Sequence, residues 1–455
     1  MKIPPQTKAS SSLAASALAL FLLAFFACEE PCNCPNPAAM ANCKPLMLEN
    51  KDKQAICSPF DANSVIFHYS ETSNSVWVDS MRQYLAGNGF VLEDSCDCDA
   101  RMELWTYNGA SPTVDLIGVI EGSKSTTTTI GEGLFLNFEV NFHPVQDTGR
   151  KPDNPKRDSA YKPPIAGTVK SGSQVIVAVI DAGVHPYDAF LTNYLWPTAP
   201  TASCAGSPTL FGVDVTNPGA PPLDNNGHGT HVCGLLCGYA NFPEPGKNPD
   251  INVVNIRFTE GNSGKGSLFK AVCGMYYAIN EAKARIINVS WGYRDTIGPT
   301  LMEPLLKKAN DMKVLVVAGL GNDTMNLDGK VKFWPACYAE RFDNVISVGA
   351  LNEAGDKMAG FSNWSSDQQC MNVVTLGEQL LTTHPPYLPV DGNIVSNIRA
   401  NGTSMATPLV ARKAAIIYSG NPLVQPGEVK ALIMGPPPQT LVAPDGSNVL
   451  VRVLQ

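Results

Sequence analysis

Five short runs rich in β-branched residues recur through the second half of the chain: Val175 to Ile180, Val253 to Ile256, Ile286 to Val289, Val314 to Val317 and Val345 to Val348. Each is apolar at successive rather than alternate positions, so both faces need cover. Stretches of helical length, Leu268 to Lys283 and Pro304 to Met312, lie between them. A strand buried on both faces belongs to a parallel sheet, because parallel neighbours are joined by crossovers that lay helices over the sheet. The expectation is an α/β domain over residues 172–455, a mostly parallel sheet with helices on both faces.

The 455 residues leave room for more than this domain. Over residues 63–146, Val65 to Tyr69, Phe90 to Leu92, Met102 to Trp105 and Leu116 to Ile120 read as strands. Ser75 to Gly87 reads as a helix with Val76, Met81 and Leu85 on one side. A small α+β module is expected there. Residues 147–171 gather Pro, Lys, Arg, Asp and Gly with almost no large apolar side chains, an exposed linker. Residues 28–62 are rich in Pro, Asn and Cys, a stapled or flexible spacer. In residues 1–27, Lys2 and Lys8 precede the apolar or small stretch Leu13 to Ala27, which suits a signal-peptide core and is shorter than the ~20 residues of a spanning helix. Cys28 after Ala27, followed by Glu29 and Glu30, resembles a bacterial lipoprotein signal. That resemblance implies acylation of Cys28 and membrane attachment through an N-terminal lipid, in the periplasm or at the cell surface. The alternative is a secreted soluble protein with Cys28 in a disulfide.

Lys and Arg number 33 against 41 Asp and Glu, a net charge of −8, and no long basic run occurs. Phosphate contacts need clustered cations, so a nucleic-acid partner is excluded. Of the 13 cysteines, Cys28 is set aside for the lipid; Cys32, Cys34, Cys43, Cys57, Cys96 and Cys98 precede the linker; and Cys204, Cys233, Cys237, Cys273, Cys337 and Cys370 follow it. Even numbers on each side permit pairing within each part in an oxidising compartment. Cys233 and Cys237 read as small core residues. The acidic run Glu93 to Asp99 reads as a solvated hairpin tip with a disulfide to the spacer, or as a cation site.

Three segments carry chemistry. Asp181 ends the first parallel strand, where ligand crevices form in open α/β sheets. His228 follows a Gly-rich turn, Asp224-Asn225-Asn226-Gly227, before a helix expected from about Val232, and Ser404 in Asn401-Gly402-Thr403-Ser404 opens another helix through Val410 to Tyr418. A serine hydroxyl is a poor nucleophile until a base takes its proton and a carboxylate orients that base. In this chain order the segments resemble those of subtilisin-like serine peptidases, over roughly Val175 to Leu432.

The resemblance implies that Asp181 orients the imidazole, His228 is general base and then general acid, and Ser404 attacks the scissile carbonyl. Ala318-Gly319-Leu320-Gly321-Asn322-Asp323 resembles the strand end that delivers the oxyanion amide, so Asn322 is the side-chain donor. Losing such a donor costs on the order of 3 kcal/mol, a magnitude known from subtilisin itself. Ser290-Trp291-Gly292 and Gly264-Lys265-Gly266-Ser267 resemble the rails on which peptide substrates lie as an added strand, with Asn226 and Gly321 bordering the same groove. Gly292 leaves the first pocket open in this reading, and Asp323 and Asp224 add negative charge favouring basic side chains.

The implied protein is an exported endopeptidase made as a self-processing precursor. Its module is an intramolecular chaperone and inhibitor whose tail fills the cleft until the linker is cut. A catalytically silent scaffold and a transpeptidase are the rival readings. The chemistry requires no cofactor; structural calcium is possible, but no clear loop for it stands between Gly238 and Pro249. Thr375-Leu376-Gly377 stands where the family carries Ala-Pro-Gly, and Arg412 stands where it carries glycine. Glycosylation triplets fall at Asn288, Asn322, Asn363 and Asn401, to be reconciled with the chemistry by burial or by the absence of such modification.

Overall fold

The computed structural model describes residues 60–70, 73–96, 98, 101–108, 119–120, 133–141, 151–152, 174–196, 211–240, 250–295, 301–366 and 370–454. The segment expected to be a signal, Cys28, nearly all of the expected spacer and most of the expected linker lie outside these.

In the upstream module, β1 (Phe60–His68), α1 (Ser75–Gly87), β2 (Phe90–Ser95), β3 (Met102–Tyr107) and β4 (Gly133–Asn141) form an antiparallel sheet ordered β2-β3-β1-β4. Helix α1 begins where the Asn74 side chain accepts from the Val76 N–H, and it buries Val78, Met81 and Leu85. Val76, expected on that face, is exposed. Two further sequence expectations fail here. Val119 and Ile120 are helical rather than extended, and the fourth strand is β4, whose apolar residues change faces along its length, Leu134 on the side of α1 and Phe138 and Val140 on the other. In the linker, β5 (Lys151–Pro152) pairs with Ile398 and Arg399.

The larger domain then runs β6 (Val175–Asp181), β7 (Gly212–Asp214), α2 (His228–Cys237), β8 (Ile251–Arg257), β9 (Thr259–Glu260), β10 (Lys265–Ser267), α3 (Leu268–Asn280), β11 (Ile286–Val289) and β12 (Tyr293–Asp295). It continues with α4 (Met302–Asp311), β13 (Leu315–Gly319), β14 (Lys332–Trp334), β15 (Val345–Leu351), β16 (Val373–Leu376), β17 (Leu380–Thr383) and β18 (Asn397–Ala400). Helices α5 (Thr403–Gly420) and α6 (Pro426–Ile433) and the hairpin β19 (Gln439–Val442) and β20 (Asn448–Val451) complete it.

Seven strands form one sheet, ordered β16-β15-β13-β11-β6-β8-β7, and every neighbouring pair is parallel. The β-branched runs explain this directly. Ala178 and Ile180 of β6 pack with α3 and α4, while Val177 and Val179 pack with α2 and α5 on the other face. Helix α2 starts four residues earlier than the sequence suggests, at His228 itself.

The module docks onto this domain through its sheet. One face, with Val65, Phe67, Trp105 and Leu134, covers α1; the other, with Ile66, Leu104, Phe138 and Val140, joins the core cluster of α3 and α4. β4 continues antiparallel onto β10, pairing Asn141, Val140 and Glu139 with Lys265, Gly266 and Ser267. A disulfide joins Cys96 to Cys273, so pairing is not confined to either side of the linker as the cysteine counts suggest. In the chain-entropy picture, closing a loop of this size is worth about 5 kcal/mol. Cys98 is also disulfide-bonded, Cys337 pairs with Cys370, and Cys233 and Cys237 are buried free thiols.

Arg412, in place of a small residue, is fully buried, its guanidinium against the left-handed Gly238 that ends α2. Burial pulls its pKa down. Helix α6 is moored by Lys430, whose ammonium donates to the carbonyls of Ala339 at 2.9 Å and Phe342 at 3.3 Å. Burial lowers this lysine to about 8. Between pH 8 and the ordinary lysine range the unfolded chain binds the extra proton, so stability rises with pH in that window. The wild type is therefore expected to gain up to about 3 kcal/mol relative to Lys430→Met between pH 8 and 10.5. Urea unfolding at several pH values checks this, and parallel curves for the two proteins refute it.

Candidate active site

The carboxyl end of β6 and the N-terminus of α2 meet at a 2.8 Å hydrogen bond between Asp181 Oδ1 and His228 Nδ1. The approach depends on glycine: a Cβ on Gly229 would sit 2.0 Å from the Gly183 carbonyl oxygen and 3.2 Å from Asp181 Oδ1. Burial pushes the Asp181 carboxyl up, while the His228 imidazole and the Ala182 N–H, which donates to Oδ1 at 2.7 Å, pull it back. With Asp181 accepting at Nδ1, the neutral imidazole carries its proton there and leaves Nε2 as the basic nitrogen.

Asp224 fixes the turn before the histidine. Its Oδ1 accepts from the Asn226 and Gly227 N–H groups and its Oδ2 from the Thr230 N–H and hydroxyl, all between 2.7 and 3.0 Å. Asn226 adds a bond from its amide to the Asn262 carbonyl and accepts from the His228 N–H at 3.3 Å. One turn into α2, His231 Nε2 meets His384 Nδ1 at 2.8 Å. His231 is thus a hydrogen-bonded histidine of the helix, and its partner, 153 residues away, left no sequence signal.

Ser404 is the second residue of α5, which packs against α2. Its hydroxyl donates to the Ser290 carbonyl at 3.0 Å, and the Ser290 hydroxyl donates back to the Ser404 carbonyl at 3.0 Å. Asn322 lies beside the same helix end, where its Oδ1 accepts from the Thr403 N–H at 2.8 Å and the Thr403 hydroxyl at 2.9 Å. An amide held by its oxygen is a fixed donor, and its Nδ2 stays at the helix mouth, where a Cβ on Gly402 would lie 3.4 Å from it. Asn363 shapes the loop that carries it: its amide donates to the Leu320 carbonyl, and its Oδ1 accepts from the Asp323 and Met325 N–H groups. Sequence reasoning passed over Thr403 and Asn363 in these roles.

The remaining expectations divide. Gly264 and Gly266 lie at and just before β10, and both edges of that strand are taken, by β9 and by β4. The Trp291 ring is buried 5.3 Å from Phe258, so only its backbone can serve a rail. Gly292 does not leave an open pocket: a Cβ there would lie 2.3 Å from Phe333 Cε1, and one on Gly321 would lie 2.7 Å from Phe333 Cε2. The Phe333 ring fills the space between the two segments. Nor do the acids offer open charge. Asp224 is wholly buried, and Asp323 faces Arg294 at 3.7 Å and Asn363 at 3.1 Å. The triplet residues Asn288 and Asn363 are buried, and Asn401 accepts from the Gln379 N–H.

Among the described residues, the groups that could hold a metal ion are Cys96, Cys98 and Cys273, and Cys337, Glu340 and Cys370. Each of these cysteines is oxidised and has no thiolate to give. The chemistry available is that of an oriented imidazole, a helix-mouth serine and a fixed amide donor. A serine-directed fluorophosphonate is expected to label Ser404, and His228→Ala to slow labelling by about 10³-fold or more. Equal labelling of the two proteins, read by intact mass, would exclude His228 as the base.

A profile of the subtilase family, peptidase S8, matches residues 172–437. The chain is 30% identical to a thermophilic serine proteinase of Bacillus sp. (strain AK1) over 270 residues, 59% of this chain and 57% of that protein. It is 30% identical to subtilisin Savinase of Lederbergia lenta over 254 residues, 55% of this chain and 79% of that protein. Its match thus spans little more than half the length of the first of these. A crystal structure of a cold adapted subtilisin-like serine proteinase superposes with a TM-score of 0.47 at 23% identity, covering 65% of this chain and 92% of that one.

Proposed function

The chain belongs to the subtilase family, and on that premise we propose that it is a serine endopeptidase working through Asp181, His228 and Ser404. The observation that carries the reading is the 2.8 Å bond between Asp181 and His228 at the N-terminus of α2, a helix packed against α5, whose mouth bears Ser404. Nε2 of His228 takes the Ser404 proton as Oγ attacks the scissile carbonyl. The same nitrogen returns it to the leaving amine, and water then resolves the acyl-enzyme by the reverse route. The Asn322 amide and the Ser404 N–H meet the oxyanion, and Asp181 stabilises the imidazolium without itself being protonated.

In this reading the protein is an exported, self-processing precursor, and the module is its inhibitor in cis. Two observations support this. β4 adds to β10 as a substrate strand would, and the disulfides suit an oxidising compartment. Anchoring through Cys28 remains part of the proposal and lies outside the described residues. Among those residues, no helix is long and apolar enough to cross a membrane. Ser404→Ala is expected to leave the chain uncut, and Asn322→Ala to lower kcat by about 10² to 10³ with little change in KM. A Ser404→Ala chain that still loses its module on purification would rule out self-processing.

The substrate class follows from Phe333. With its ring between Gly292 and Gly321, the first pocket accepts small side chains such as Ala or Ser. Replacing Phe333 by Ala is expected to raise kcat/KM for a Phe or Leu at that position at least about tenfold relative to Ala. A peptide-pool profile unchanged by the substitution would refute the assignment.

A further inference from the structure

The face of α3 turned to the module is built from residues on one stripe, Lys270, Cys273 and Asn280, at helical spacing. Lys270 pairs with Asp94 at 2.6 Å, Cys273 is bonded to Cys96, and the Asn280 amide donates to the Cys98 carbonyl at 3.0 Å. At the start of the helix, the Phe269 N–H donates to the Asn137 side chain at 3.2 Å. The Phe138 ring stacks on Tyr293 with centroids 4.9 Å apart, and Lys265 pairs with Glu139 at 3.0 Å. Every contact in this set joins the module to the larger domain, and one of them is covalent.

We propose that this interface outlasts cleavage of the linker: the module remains on the catalytic domain as a disulfide-linked second chain after the linker is cut, and β10 opens to substrate only when a dithiol reduces Cys96–Cys273. The proposal rests on the endopeptidase reading above for its activity consequence alone. With the bridge intact, the module cannot diffuse away, and its effective concentration beside β10 keeps the β4 pairing closed whatever happens in the linker. Cutting the linker is therefore necessary but not sufficient. Both cysteines are buried, Cys96 1% and Cys273 7% exposed, so the bridge is shielded from monothiols and persists in an oxidising surrounding until a dithiol gains access. The exchange is ordinary. One thiolate of the dithiol attacks a bridge sulfur and displaces the other cysteine as thiolate. The second thiol of the reductant then attacks the mixed disulfide and leaves as the cyclic or paired disulfide, so two electrons pass to the protein sulfurs. The activating partner is accordingly of the dithiol oxidoreductase class, with a small dithiol as its surrogate.

The experiment uses the full chain with a site for a sequence-specific endopeptidase inserted within residues 153–170. In the first arm Ser404→Ala removes self-processing. After the linker is cut, the module is expected to stay with the larger fragment in gel filtration and non-reducing electrophoresis, and to separate once dithiothreitol is added. Separation without thiol overturns the proposal. In the second arm the protein with Ser404 intact is cut in the same way and assayed on a short peptide substrate. Activity is expected to rise at least about tenfold on adding dithiothreitol, and to be high without it in Cys273→Ser. Mass mapping of alkylated cysteines must assign the rise to Cys96 and Cys273; a rise that follows Cys337 alone, or full activity before reduction, overturns it. Should Cys273→Ser fail to fold, the wild-type thiol titration decides by itself. An enzyme inactive throughout, and unlabelled by a fluorophosphonate after reduction, would sink the endopeptidase reading while the first arm still reports on the tether.

Discussion

A carboxylate held out of water is the constraint on which the site depends. Asp181 is 1% exposed at the end of a central strand, where an isolated charge would be neutralised by a shift of its pKa. It stays useful because an imidazole and a backbone N–H face it. Those partners are available because α2 begins at the histidine and because Gly229 lets the helix come against the strand end. Asp224 repeats the arrangement without chemistry: a buried acid whose oxygens are filled by turn amides and a threonine. One acid orients the base, and the other holds the turn that delivers it.

The sheet gives this arrangement its stiffness. Each strand between β6 and β15 presents side chains to two separate helical layers, so a shift of one strand would disturb both packings. Asp181 lies at the carboxyl end of β6, and Asn322 follows the carboxyl end of β13. Ser290, whose carbonyl receives the Ser404 proton bond, directly follows β11. The groups converge because parallel strands end on one side, the geometry that favours ligand sites at that edge of α/β sheets.

What could be read from the sequence was what local pattern encodes. Double-faced apolar runs gave the parallel strands, and the Gly-rich turn and the Gly-Thr-Ser mouth pointed to the histidine and serine. The missed features are those made by distant pairs. His384 and Phe333 have no motif of their own, and the triplet at Asn363 points elsewhere; each acquires its role by meeting a segment far away in the chain. The module was legible as α+β but wrong in its last strand, because β4 keeps no single alternation: its apolar residues switch faces between Leu134 and Phe138 where the pairing with β1 shifts register. Counting cysteines on either side of the linker could not reveal a bridge across it, since parity says nothing about proximity.

The sheet of the module has two apolar faces, and α1 covers one of them. Ile66, Met102, Leu104, Phe138 and Val140 complete a core whose other half belongs to the larger domain. Detached, the module would turn that face to water, an uncovered sheet with a bare edge at β4. It is half of a folding unit rather than a domain in its own right. Its structure is on loan from its host, and a free copy would be material for unfolding, aggregation or digestion.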